Sequence, residues 1–122
     1  MLLVEDDADC RELFRITLEL DGATVVTAAT AWEGLKIVGA FSPDVIVSDL
    51  SLPDEDGCWL IRNARAAVRP GTRRPATIIV ATDHEDLVRI RCLVAGCDAF
   101  VTKPMDALDL CGVVARLASN VA

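Results

Sequence analysis

The sequence predicts an α/β protein, a three-layer αβα sandwich around a parallel sheet. Three observations predict it. Short, largely apolar and β-branched segments recur five times along the 122 residues. A stretch with helical spacing of apolar residues follows each of them. The strand segments are apolar on both sides, as parallel strands covered on both faces must be.

The first strand is Leu2–Val4, short because the chain starts there. A helix over Asp9–Leu20 carries Cys10, Leu13, Phe14, Ile16 and Leu18, and Gly22 stops it. Thr24–Ala28 is the second strand. Thr30 can cap a helix from Ala31 to about Ala40, with Glu33 completing a capping box, and Ser42-Pro43 ends it. Asp44–Ser48 is the third strand. The third helix, Gly57–Val68, closes at Pro70-Gly71. Ala76–Ala81 is the fourth strand, and Glu85–Ala95 the fourth helix, ended by Gly96. Ala99–Thr102 and Met105–Asn120 complete the series. Five βα units with connections this long imply parallel strands and right-handed crossovers. One domain over residues 1–122 is expected, with Arg69–Pro75 as its one loose, solvated loop.

Composition narrows the function. A net charge of −7 argues against a general nucleic-acid surface. No apolar stretch reaches membrane-span length, and acids begin at Glu5 where a secretory signal would be apolar, so a soluble, cytoplasmic protein is expected. Five cysteines, Cys10, Cys58, Cys92, Cys97 and Cys111, form no CxxC pair and read as small core residues in a reducing compartment.

In a parallel sheet, the loops after the strands lie at one edge, where ligands bind. Glu5-Asp6-Asp7 follow the first strand, Asp49 the third, Thr82-Asp83-His84 the fourth and Lys103-Pro104 the fifth. Any one of these groups alone is ordinary: an acidic run favours a helix N-terminus, and a strand often ends in Asp or Thr. Their joint placement is not. Crowded carboxylates need a compensating charge, which a hard divalent cation supplies best. A carboxylate-held metal accepts phosphate oxygens, and a nearby Lys and Thr suit the same anion.

The chain resembles the receiver domains of two-component response regulators over essentially its whole length. The resemblance rests on Val4-Glu5-Asp6-Asp7, on Val47-Ser48-Asp49-Leu50-Ser51-Leu52-Pro53 with Gly57, and on Val80-Ala81-Thr82. Ala95-Gly96-Cys97-Asp98-Ala99-Phe100 and Val101-Thr102-Lys103-Pro104 complete it. It implies a flavodoxin-like sheet of strand order 2-1-3-4-5. It also implies that Asp49 accepts a phosphoryl group from a phosphohistidine partner, a histidine kinase or a histidine phosphotransfer protein. Mg²⁺, or Mn²⁺, would be held by Asp7 and Asp49 directly, by the Ser51 backbone carbonyl, and by Asp6 through water. Thr82 would close on the phosphoryl group, and Lys103 would contact it ahead of a cis Pro104. Phe100 takes the place of the switch aromatic, and the face of helix 4, strand 5 and helix 5 would change with phosphorylation.

Some positions depart from the family pattern. Asp83 stands where a small residue is usual, and it is read as a cap of helix 4 rather than a barrier to phosphorylation. Ser51 and His84 occupy places that tune dephosphorylation in the family, although His84 also reads as an exposed loop imidazole. No output domain is expected in the chain. The surplus apolar residues of helix 5, Leu108 to Val121, suggest a homodimer or effector surface. The protein is therefore expected to be a phosphoacceptor regulator rather than an enzyme with turnover. Two alternatives remain. A Mg²⁺-dependent aspartyl phosphohydrolase needs an acid where Ser51 stands, and a phosphorylation-independent binding module needs a missing site residue.

Overall fold

The computed structural model describes residues 1–81, 86–103 and 107–119. Its elements alternate throughout: β1 (Leu2–Val4), α1 (Ala8–Leu20), β2 (Val26–Ala28), α2 (Ala31–Phe41), β3 (Val45–Asp49), α3 (Gly57–Ala66), β4 (Ala76–Ala81), α4 (Asp86–Ala95), β5 (Ala99–Thr102) and α5 (Ala107–Ser119). One parallel sheet has the order β2-β1-β3-β4-β5, as expected.

The period-2 alternation of the strands divides the core. Leu3, Val45, Val47, Ile78 and Val80 face one layer, where they meet Phe14 and Leu18 of α1 and Leu110 and Val114 of α5. Leu2, Val4 and Ile46 face the other layer, packed with Ala31 and Val38 of α2 and Leu60 and Ala64 of α3. Ile79 and Ala81 continue that second face onto Cys58 and Ile61 of α3 and Cys92 and Ala95 of α4.

β2 is shorter than the sequence suggests, Val26–Ala28 rather than Thr24–Ala28. It is an edge strand whose sole partner, β1, has only three residues to offer. α2 keeps half of the expected capping box. Thr30 Oγ1 accepts from Glu33 N at 3.1 Å, while Asp54, from the loop after β3, accepts from Ala31 N and Trp32 N at 2.9 Å each. That carboxylate pins the β3–α3 loop to the start of α2, in the favourable field of the helix dipole.

The apolar surplus of α5 is largely spent inside the protein. Leu110 and Val114 are buried and Val113 and Leu117 pack against the core, which leaves Leu108 exposed. On α4, by contrast, Leu87, Ile90, Leu93 and Val94 are exposed. Thr82, Asp83, His84, Pro104 and Val121 lie outside the described residues, so the expectations placed on them, the Asp83 cap and the cis Pro104 among them, receive no structural account.

Candidate functional site

The site is laid out by strand register. β1 and β3 pair with Val4 opposite Ser48, so the next residues, Glu5 and Asp49, stand abreast at the carboxyl edge of the sheet. Each lies two residues beyond a core residue of one face, Leu3 and Val47, and alternation turns both to that same face. The ladder extends one step past β1, since Glu5 N donates to Ala28 O at 3.0 Å. At the end of β5, Lys103 N donates to Ala81 O at 2.7 Å, which anchors the third component.

Lys103 Nζ donates to Glu5 Oε1 at 3.0 Å and to Asp49 Oδ2 at 3.2 Å. All three side chains are withdrawn from solvent, Glu5 almost completely. Carboxylate oxygens of Glu5, Asp6 and Asp49 lie within 4.8 Å of one another. Glu5 Oε2 is buried without a hydrogen-bond partner among the described residues.

Electrostatics follow from this crowding. Burial, then the adjacent Glu5 carboxylate, push Asp49 up to about 6, against the opposing pull of Lys103. Burial alone would raise Glu5 as well, but its contacts with Asp49, Cys10 and Lys103 hold it below the usual carboxylate range. Burial alone would lower Lys103, yet the two carboxylates keep it above its ordinary value. Glu5 and Asp49 thus share one ammonium with the Asp6 carboxylate close by, leaving an excess of negative charge and an unfilled oxygen. That donor set, all hard oxygens, fits Mg²⁺ or Mn²⁺.

The β3–α3 loop is held against Asp49 by Gly57. Its N–H donates to Leu50 O at 2.8 Å. A Cβ at this position would lie 2.5 Å from Asp49 O and 2.8 Å from Ile79 Cδ1, so only glycine fits. Asp56, next to it, caps α3 by accepting from Trp59 N at 2.8 Å.

The acids predicted for the metal are redistributed. Asp6 and Asp49 belong to the cluster. Asp7 does not: it is the N-cap of α1, with Oδ1 accepting from Cys10 N at 2.9 Å, so its carboxylate is committed to the helix terminus. Glu5 stands where Asp7 was expected. Sequence did carry the signal, because Glu5 keeps the strand's alternation and Asp7 sits one residue before the helix begins. Arg11 Nη1 reinforces the turn by donating to Glu5 O at 2.8 Å. Ser51 lies in the exposed loop two residues after Asp49. Phe100 is half-buried against the cluster that joins β4, α3 and α4.

A five-stranded parallel α/β domain with clustered carboxylates and a lysine at the carboxyl edge of its sheet has the flavodoxin-like arrangement, with its polar cluster where such folds bind ligands. The chain belongs to the response regulator receiver domain family, whose model matches residues 1–115. It is 37% identical over 114 residues to an uncharacterized 14.6 kDa protein in the sodA1 3′ region of Leptolyngbya boryana, covering 93% of this chain and 86% of that protein. It is 37% identical over 112 residues to the KDP operon transcriptional regulatory protein KdpE of Escherichia coli, covering 90% of this chain but 47% of the regulator. The chain therefore spans about half the length of that regulator. A CheY-like receiver domain protein of Methanospirillum hungatei has a similar structure, with a TM-score of 0.88 and 30% identity over 98% of this chain and 92% of that one.

Proposed function

We propose that the chain is a phosphoacceptor switch in two-component or phosphorelay signalling, with Asp49 as the acceptor. The observation that carries this reading is the convergence of Glu5, Asp6, Asp49 and Lys103 at the carboxyl edge of the sheet. Asp49 is the member that ends a central strand, held from behind by the Gly57 turn.

Glu5, Asp6 and Asp49 would hold the metal, with the Ser51 carbonyl completing the protein ligands. A bound Mg²⁺ or Mn²⁺ would supply charge neutralisation for the carboxylates and for an incoming phosphoryl group. The chain's own residues do the rest. Asp49 presents a carboxylate oxygen for in-line attack on a phosphohistidine phosphorus. Lys103, already 3.2 Å from Asp49, offsets the growing negative charge. Lys103 also keeps Glu5 ionised, so the pair is preorganised before the donor docks. Thr82 is assigned the hydroxyl that closes on the bound phosphoryl group.

Phosphorylation adds close to two negative charges at Asp49. The phosphoryl group competes with Asp49 for Lys103, and the pull passes along β5 to Phe100 and α4. α4 presents the exposed residues Leu87, Ile90, Leu93 and Val94, a surface suited to a homodimer partner or effector. The donor is a histidine kinase or histidine phosphotransfer protein. A sensor histidine kinase of Burkholderia thailandensis, AtsR, is 33% identical over 97% of this chain and 19% of its own length.

The test is incubation with a small phosphodonor, phosphoramidate, with and without Mg²⁺, followed by intact mass. One phosphoryl adduct that needs Mg²⁺ and is absent in Asp49→Asn is expected. An adduct of equal yield in Asp49→Asn, or none with wild type, overturns the assignment.

A further inference from the structure

Cys58 and Cys92 have no part in the phosphoacceptor site. They lie 34 positions apart in sequence, in the first turn of α3 and in the body of α4. Their sulfurs approach to 2.9 Å, and both residues are fully buried in the cluster that joins the two helices to β4. A covalent S–S bond measures about 2.05 Å, so the sulfurs need to move less than about 1 Å to be bonded. Cys97 packs in the same cluster.

We propose that Cys58 and Cys92 form a reversible disulfide that clamps α4 onto α3. The oxidant is a hydroperoxide. One sulfur takes the terminal peroxide oxygen, breaking the O–O bond and releasing water or an alcohol. The second sulfur displaces the resulting sulfenic hydroxyl as water, and the S–S bond forms. Two thiols thereby lose two protons and two electrons, which the peroxide accepts. A small dithiol reverses the step by exchange.

The resting pair is protected. Burial, and then the neighbouring Cys58, hold the Cys92 thiol well above its ordinary range, so it is protonated at neutral pH. Oxidant reaches the pair when α4 opens locally. Among the described residues, the outer polar contacts that opening must break are modest: Arg91 of α4 lies 3.5 Å from Asp56, the N-cap of α3, and Arg65 Nη1 of α3 donates to Gly96 O at 3.3 Å at the exposed end of α4. Once one sulfur is oxidised, its partner is already in place, and closure is fast.

The position gives the bond a consequence. Cys58 follows Gly57, the residue packed on Asp49 O. Cys92 belongs to the helix that carries the exposed apolar surface. The disulfide ties the loop behind Asp49 to α4 and restrains α4. Its formation depends only on the two sulfurs, whereas any effect on signalling rests on the phosphoacceptor reading.

The test uses the full reduced chain and hydrogen peroxide, with no phosphodonor. Expected are a loss of two hydrogens, a linked peptide pair containing Cys58 and Cys92, and full reversal by dithiothreitol. Amide exchange in α4 should slow in the oxidised form. The thermal midpoint should rise by on the order of 10 °C, from the loop closed by the bond. In Cys92→Ala, neither the slowed exchange nor the shift should appear. Cysteines 58 and 92 that stay open to alkylation after unfolding, or a link to Cys97 instead, would overturn the site. A Cys58–Cys92 link that leaves α4 exchange unchanged would overturn the clamp.

Discussion

The metal-free protein should lose stability as the pH rises from 5 to 7, and Asp49 should be the cause. The folded Asp49 keeps its proton up to about pH 6, whereas an unconstrained Asp loses it near 3.8. Between those values the folded state binds more protons than the unfolded one. Stability is therefore greatest at the acid end of the window and declines through the folded pKa. The whole effect is about 3 kcal/mol, of which about 1 kcal/mol develops between pH 5 and 7. Glu5 works in the other direction. Held below its ordinary 4.5, it contributes stability that is present above that value and lost only as pH falls below it, so it is constant across the window. The assay is urea denaturation in EDTA at pH 5, 6 and 7, for wild type and Asp49→Asn. Groups common to both proteins cancel in the difference. The variant should gain on wild type by about 1 kcal/mol across the window. Millimolar Mg²⁺ at pH 7 should stabilise wild type and not the variant, because a ligand of the folded state alone adds its binding free energy. Parallel pH curves for the two proteins would refute the crowded-carboxylate account of the site.

Three further perturbations probe how the site is built. Gly57→Ala should cost about 3 kcal/mol in denaturant unfolding, because the new methyl meets the Asp49 carbonyl and Ile79 with no room to yield; a loss under about 1 kcal/mol would mean that the turn relaxes freely. Asp54→Ala should cost about 1 kcal/mol and lift amide-exchange protection at Ala31 and Trp32, the two N–H groups it caps; unchanged exchange there would remove it from the α2 terminus. Lys103→Met should move the midpoint of the Asp49-dependent pH curve upward, because the ammonium 3.2 Å away favours the ionised carboxylate; an unmoved midpoint would deny the pair any coupling.

Most of the fold was legible in the sequence because both of its periodicities are strong. Runs such as Ala76–Ala81 are buried at every position, which only a strand covered on both faces achieves. Propensity overextends β2 because it says nothing of how many residues the neighbouring strand offers. The sequence of α5 shows more apolar residues than one buried stripe needs, but the core between it and α1 takes up Leu110, Val113, Val114 and Leu117 together. At the site, the elements carrying Asp6, Asp49 and Lys103 were placed by chain order alone. The exchange of Asp7 for Glu5 turns on where a strand ends and a helix begins, a matter of one residue. Hydrogen bonds mark that boundary: Glu5 N still joins the sheet, and the Asp7 carboxylate already accepts from the helix terminus. The role of Gly57 depends on a contact with Asp49 that arises only when strand and helix pack. The Cys58–Cys92 approach arises the same way, from helices separated in sequence by a strand and two loops.

The central claim concerns one side chain, and its chemistry can be read directly. The chain is incubated with phosphoramidate and Mg²⁺, reduced with borohydride, and digested for peptide sequencing by mass. An acyl phosphate on aspartate reduces to homoserine, and the account predicts homoserine at Asp49 alone, in proportion to the phosphoryl adduct. Homoserine at Asp6, a reduced glutamyl product at Glu5, or a stable adduct on His84 with Asp49 intact would contradict it.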